Sequence, residues 1–142
     1  MRIGIDVGGS HIGLGLIDKN GKIILKKEED ICLKSNTNTA KEIIVNNIVK
    51  FTKEILEEKK MNISELELIG IAFPGTISGK VVIKAENLGI EKFNIVDDIN
   101  KQINIPIYLR NDAKCAALAE KEYGVLKEYE DAIFLVVGTG VG

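Results

Sequence analysis

The chain has 142 residues, a net charge of −2, 45% hydrophobic and 28% charged side chains, and only two cysteines, Cys32 and Cys115. These values describe one globular domain with room for a real core, and they exclude a basic nucleic-acid footprint. The cysteines form no metal-ligand pattern, and the absence of an apolar leader or a long uncharged run points to the reducing cytoplasm.

The first strand is expected over residues 2–7, carried by Ile3-Gly4-Ile5, and a second over 12–18. A glycine turn joins them. Asn20-Gly21 is a hairpin signal that leads into a third strand over 22–29, so the chain starts as three antiparallel strands. Residues 32–38 are polar and read as a loop. Thr39 with Glu42 forms a capping box, after which Ile44, Ile48, Phe51 and Ile55 recur at helical spacing to about residue 59. The run 54–60 is the solvated face of that helix. Residues 66–73 read as a buried strand stopped by Pro74-Gly75, and 81–85 as a short extended piece after Ser78-Gly79. A short helix over 95–103, a strand over 106–109, an alanine-rich helix over 111–123 and a last strand over 132–137 complete the order. Paired hairpins followed by strand–helix–strand units predict an α/β fold, a mixed sheet with helices on its faces.

Two glycine turns bear on chemistry. Asp6-Val7-Gly8-Gly9-Ser10 follows the first strand and Gly138-Thr139-Gly140-Val141-Gly142 follows the last. Glycine admits positive φ and lets a charged ligand approach bare N–H groups. Neither turn has the Gly-x-x-x-x-Gly-Lys pattern or a Gly-x-Gly-x-x-Gly opening a helix. A double glycine alone reads most simply as a tight hairpin. Asp6 changes the balance, because a carboxylate at a strand end beside two glycines suits ordering Mg²⁺ next to a nucleotide phosphate. Ser10 can donate its hydroxyl to the same oxygens.

The third constellation, Arg110-Asn111-Asp112-Ala113, falls where a strand becomes a helix. Asn or Asp at such a junction is an ordinary N-cap. The helix N-terminus also favours the charged form of Asp112, and an ionised carboxylate at the mouth of a cleft can take the proton of a hydroxyl attacking a γ-phosphate. Asn111 can hydrogen-bond a neighbouring hydroxyl. The small side chains Ala113, Ala116, Ala117 and Ala119 let the helix lie close on the sheet, with Cys115 a small buried member of that face.

In order and spacing these motifs resemble the ROK family of sugar kinases and sugar-responsive repressors, from Ile3 to Gly142. The first glycine turn is similar to the family's first phosphate motif, and Gly70-Ile71-Ala72-Phe73-Pro74-Gly75-Thr76-Ile77 to its strand and Pro-Gly turn at the sugar site. Ala85-Glu86-Asn87-Leu88-Gly89 resembles the Asn-Leu segment that follows. Asn111-Asp112-Ala113 looks like the opening of the catalytic helix, and Val137-Gly138-Thr139-Gly140-Val141-Gly142 like the second phosphate motif. The resemblance implies the ribonuclease-H-like fold of actin and hexokinase, with residues 1–142 as the N-terminal lobe and the C-terminal lobe absent.

By the same resemblance Asp112 is the catalytic base and Gly75, Thr76, Asn87 and Asn111 contact the sugar. Asp6, Gly8, Gly9 and Ser10 face the phosphates of Mg·ATP, with Asp6 at the metal, and Thr139 and Gly140 close on them from the other side. The family's zinc motif belongs to the second lobe, so no zinc is expected here. His11 stands where a lysine is common and is assigned no role. The implied protein is a homodimeric cytoplasmic kinase acting on a hexose or N-acetylhexosamine, with no nucleic-acid or membrane partner, and the lobe alone is expected to be inactive. The alternatives are a sugar-sensing regulator without its DNA-binding part, disfavoured by a first strand that starts at Arg2, and a nucleotide-switched assembly module of the actin kind, disfavoured by the Asn-Asp-Ala helix.

Overall fold

The computed structural model describes residues 1–31 and 37–137. Strands β1 (Arg2–Val7), β2 (His11–Ile17) and β3 (Ile23–Asp30) form the expected antiparallel start, and helix α1 (Thr37–Glu58) follows. Next come β4 (Leu68–Phe73), β5 (Thr76–Ser78), β6 (Val81–Ala85) and β7 (Ile90–Phe93). Helix α2 (Ile95–Asn100), strand β8 (Ile107–Asn111) and helix α3 (Asp112–Tyr123) complete the order. The main sheet has strand order β3-β2-β1-β4-β8 and is mixed: β1 pairs antiparallel with β2 and parallel with β4, and β4 parallel with β8. A second, antiparallel sheet has the order β5-β6-β7.

Strand alternation divides the main sheet into two unlike faces. One carries Ile3, Ile5, Val7, Ile12, Leu14, Leu16, Ile69, Ile71 and Phe73, all buried in a single core with Ile44, Ile48, Phe51 and Ile55 of α1. The helical spacing read from the sequence therefore marks the face of α1 that docks. Ile95, Val96 and Ile99 bring α2 into the same core, and Phe73 meets Phe93 edge-on at 6.2 Å, which ties β4 to the small sheet. Thr52, buried among these side chains, donates its hydroxyl to the Ile48 carbonyl at 2.8 Å, so its polar atom is satisfied within the helix. The opposite face bears Gly4, Gly13, Gly15, Gly70 and Ala72, and α3 partly covers it with Cys115 and Ala119.

Several expectations change. α1 begins at Thr37, so Thr39 lies inside the first turn instead of capping it; first-turn N–H groups need no intrahelical acceptor, and polar residues extend a helix there at little cost. α2 stops at Asn100, short of residue 103. Strands β5 and β7 were not expected. Residues 132–137 make no strand beyond an isolated bridge at Val137, and Ile133, Leu135 and Val137 are 88%, 69% and 77% exposed. A strand apolar on both faces needs a paired neighbour and cover on each side, and residues 132–136 pair with no strand among the described residues. No helix among the described residues is long and apolar enough to cross a membrane.

Candidate active site

The parallel strands β1, β4 and β8 end side by side. Asp6 is in register with Ala72, Ala72 with Arg110, and Phe73 with Asn111. Two inter-strand spacings put the ends of β1 and β8 about 10 Å apart, at the carboxyl edge where open α/β sheets bind ligands.

At the end of β1 the chain turns through Gly8-Gly9-Ser10, with the Gly8 N–H donating to the His11 carbonyl at 2.9 Å. Neither Gly8 nor Gly9 has positive φ. Gly8 leaves room for a side chain: a Cβ there would stand 2.7 Å from Cε1 of His11, so the ring that lies against the loop would have to move. His11, given no role from the sequence, thus packs the first turn. A Cβ at Gly9 would meet nothing within 4 Å, so its backbone stands bare. Ser10 is exposed and its carbonyl accepts the Ile31 N–H at 2.7 Å. Asp6 is exposed and lines a concavity of about 650 Å³ with His11 and Arg110.

At the end of β4, Gly75 has φ +100°, and a Cβ there would come within 2.2 Å of the Lys84 carbonyl oxygen. Only glycine fits where this turn presses on β6. Gly75 and Thr76 line two hollows. One, of about 290 Å³, is shared with Asn87 and Glu86, and the other, of about 520 Å³, with Asn111 and Lys114. Asn87 sits in a 3-10 turn over Glu86–Leu88 that Gly89 ends at φ +62°. Lys84 and Glu86 pair at 2.7 Å, which raises the lysine pKa and lowers that of the carboxylate.

At the end of β8, Asn111 caps α3. Its Oδ1 accepts the Lys114 N–H at 3.0 Å, and its Nδ2 donates to the Gly75 carbonyl at 3.0 Å and to Asp112 Oδ1 at 2.9 Å. The Ala113 N–H donates to the same Asp112 oxygen at 2.8 Å. α3 lies less deeply than its alanines predicted: none of its residues is buried, and Cys115 is half-buried. Burial pushes the Cys115 thiol pKa above its ordinary value, and the nearby Arg110 guanidinium opposes the shift.

The structure therefore brings Gly75, Thr76, Asn111 and Asp112 together, places Asn87 on the far side of Gly75, and sets Asp6, Gly8, Gly9 and Ser10 at the neighbouring strand end. Thr139 and Gly140 lie outside the described residues. Arg110 was missed as a site residue, because only the pairing of β4 with both neighbours puts it in a row with Asp6. Among the described residues no group of three or more His, Cys, Asp or Glu could hold a metal. Asp6 has no ion pair or hydrogen-bond partner among the described residues, so its carboxylate is open to a hard divalent cation.

This mixed sheet, with its hairpin start and its glycine turn beside a carboxylate, is the N-terminal part of the actin- and hexokinase-type ATPase fold. The chain belongs to the ROK family, whose model matches residues 2–142. It is 28% identical to a glucokinase of Thermotoga maritima over 99% of this chain and 42% of that protein. It is equally 28% identical to a xylose repressor of Bacillus subtilis, over 99% of this chain and 35% of the repressor. Among solved structures, an inorganic polyphosphate/ATP-glucomannokinase from Arthrobacter sp. strain KM superposes with a TM-score of 0.76 at 27% identity, covering 99% of this chain and 56% of that one. The chain spans less than half the length of the two curated relatives named here.

Proposed function

We propose that these residues form the N-terminal lobe of an ATP-dependent sugar kinase, which moves the γ-phosphoryl group of Mg·ATP to a hydroxyl of a hexose or N-acetylhexosamine. The observation that carries this reading is the carboxylate of Asp112, fixed beside the Gly75-Thr76 turn and about two strand spacings from the turn where the Gly9 backbone stands bare. A hydroxyl lodged along the groove of Gly75, Thr76 and Asn111 would lie next to Asp112, which takes its proton as the oxygen attacks phosphorus. Asn87 bounds the sugar on the other side of the turn. At the turn that Gly8 opens, the Gly9 N–H and the Ser10 hydroxyl would bind phosphate oxygens, and Asp6 would hold a magnesium ion, whose charge would offset that of the phosphates. Thr139 and Gly140 would complete the phosphate cradle. With little covalent chemistry to perform, the protein contributes in-line placement and charge neutralisation.

The whole protein is expected to be a cytoplasmic homodimer, and residues 1–142 alone to turn over little, since the second lobe supplies the rest of both pockets. ADP release by the whole protein, measured across a panel of hexoses and N-acetylhexosamines, tests the reading. Sugar-dependent release with one preferred sugar supports it.

A second reading is a sugar-sensing regulator, favoured by the xylose repressor among the relatives. It predicts sugar binding by calorimetry with no sugar-dependent ADP release from the whole protein.

A further inference from the structure

Arg110 ends β8 with an unpaired charge. Register partners on parallel strands point to one face, so Asp6, Ala72 and Arg110 share the face of the main sheet opposite α1. Only the methyl group of Ala72 lies between the carboxylate and the guanidinium, and neither side chain forms an ion pair or hydrogen bond with a described residue. Both line the concavity of about 650 Å³, where Lys26 and Glu28 pair with each other at 3.4 Å. Arg110 is also the one residue that this concavity shares with the hollow of about 520 Å³ at Gly75, Thr76 and Asn111. Lys114 is a second cation of that hollow, but it stands outside the concavity of Asp6. The Cys115 thiol feels the same neighbourhood: burial raises its pKa, Arg110 lowers it, and Asp112 and Asp6 raise it again.

We infer that Arg110 is a catalytic residue that binds the terminal phosphoryl group of ATP through its guanidinium, between Asp6 on one side and the sugar hollow on the other. This rests on the kinase reading. Position selects the terminal phosphate: the Gly9 backbone and Ser10 flank the end of β1, Asp112 and Thr76 flank the end of β8, and Arg110 borders both spaces. Its planar fork of N–H donors suits two oxygens of one phosphoryl group. As the sugar oxygen bonds to phosphorus, its proton passes to Asp112 and the bond from phosphorus to the ADP oxygen breaks. Arg110 exchanges no atom in this step and offsets the negative charge on the moving group.

The test uses the whole protein. Arg110→Met removes the charge at an exposed position, and Arg110→Lys keeps it without the fork. In calorimetry without sugar, Arg110→Met should bind Mg·ATP about tenfold more weakly, with Mg·ADP within about threefold of wild type. Its kcat should fall about 100-fold, and Arg110→Lys should recover part of both losses. Wild-type behaviour of Arg110→Met overturns the inference. Equal losses for the two nucleotides overturn it as well, because they put the guanidinium on an inner phosphate. A raised sugar KM at unchanged nucleotide affinity marks a sugar ligand and overturns it. A lower melting temperature with nucleotide affinity intact does the same, by marking a structural ion pair with a carboxylate of the whole protein. If the wild type binds Mg·ATP but forms no sugar phosphate, the kinase reading falls, and the comparison of ATP with ADP still decides the role of Arg110. A wild type that binds neither nucleotide overturns both.

Discussion

Gly75 and Gly9 are both glycines of turns, yet different physics holds each in place. At Gly75 a Cβ would collide with the Lys84 carbonyl, and φ lies in the left-handed region. Gly75→Ala should therefore lower the free energy of unfolding by about 2 kcal/mol or more in urea titrations. At Gly9 a Cβ meets nothing, so Gly9→Ala should leave the melting temperature unchanged while weakening Mg·ATP binding, since the new methyl group occupies the approach to the bare N–H groups. Loss of stability without loss of nucleotide affinity would contradict the phosphate-loop reading. Cys115 offers a check on α3. Its raised pKa leaves less thiolate at a given pH, so iodoacetamide should modify it more slowly than a free thiol at pH 8, and urea should abolish the difference. The Pro-Gly and Asn-Asp-Ala motifs were legible as residues. The packing of the His11 ring on Gly8 was not, because it depends on where that ring lies after β1 and β2 pair.

Among the elements, α1 was the most legible, since Ile44, Ile48, Phe51 and Ile55 fall on one helical face and all are buried. Ile48→Ala should cost about 2–5 kcal/mol by chemical denaturation. The hairpin after β2 was announced by Asn20-Gly21, and the structure adds its lock: Asp18 Oδ1 accepts the Lys22 N–H at 2.9 Å and the Asn20 N–H at 2.8 Å. Chiefly the Lys22 bond holds the Asp18 pKa below its ordinary 3.8. A depressed carboxylate stabilises the fold above its unfolded pKa and loses that contribution as pH falls through the folded one. Amide shifts of Asn20 and Lys22 should therefore stay constant at neutral pH and move only below about pH 4; movement near pH 7 would contradict the assignment. Strands β5 and β7 escaped the sequence reading because three or four residues give too little alternation, and Lys92 within β7 has φ +48°. Residues 132–137 failed the opposite way. Their pattern is that of a strand, but a strand also needs edges to pair with, and a local sequence does not carry its partners.

For the molecule as a whole, one face of the main sheet is closed by α1 and α2 and determines folding, while the carboxyl edge gathers the functional motifs. Sequence order alone gave the motifs. Their convergence needed the parallel pairing β1-β4-β8, which brings the end of β1 and the end of β8 to either side of β4. On the kinase reading the residues of this lobe supply the proton acceptor and one side of the phosphate cradle.

Phosphoryl transfer by the whole protein, followed by ³¹P NMR of the sugar phosphate for wild type beside Asp112→Asn, tests that most directly. The account predicts that the substitution lowers kcat by about 10²–10⁴-fold with the fold and nucleotide binding retained. Equal product formation by the two proteins would contradict it.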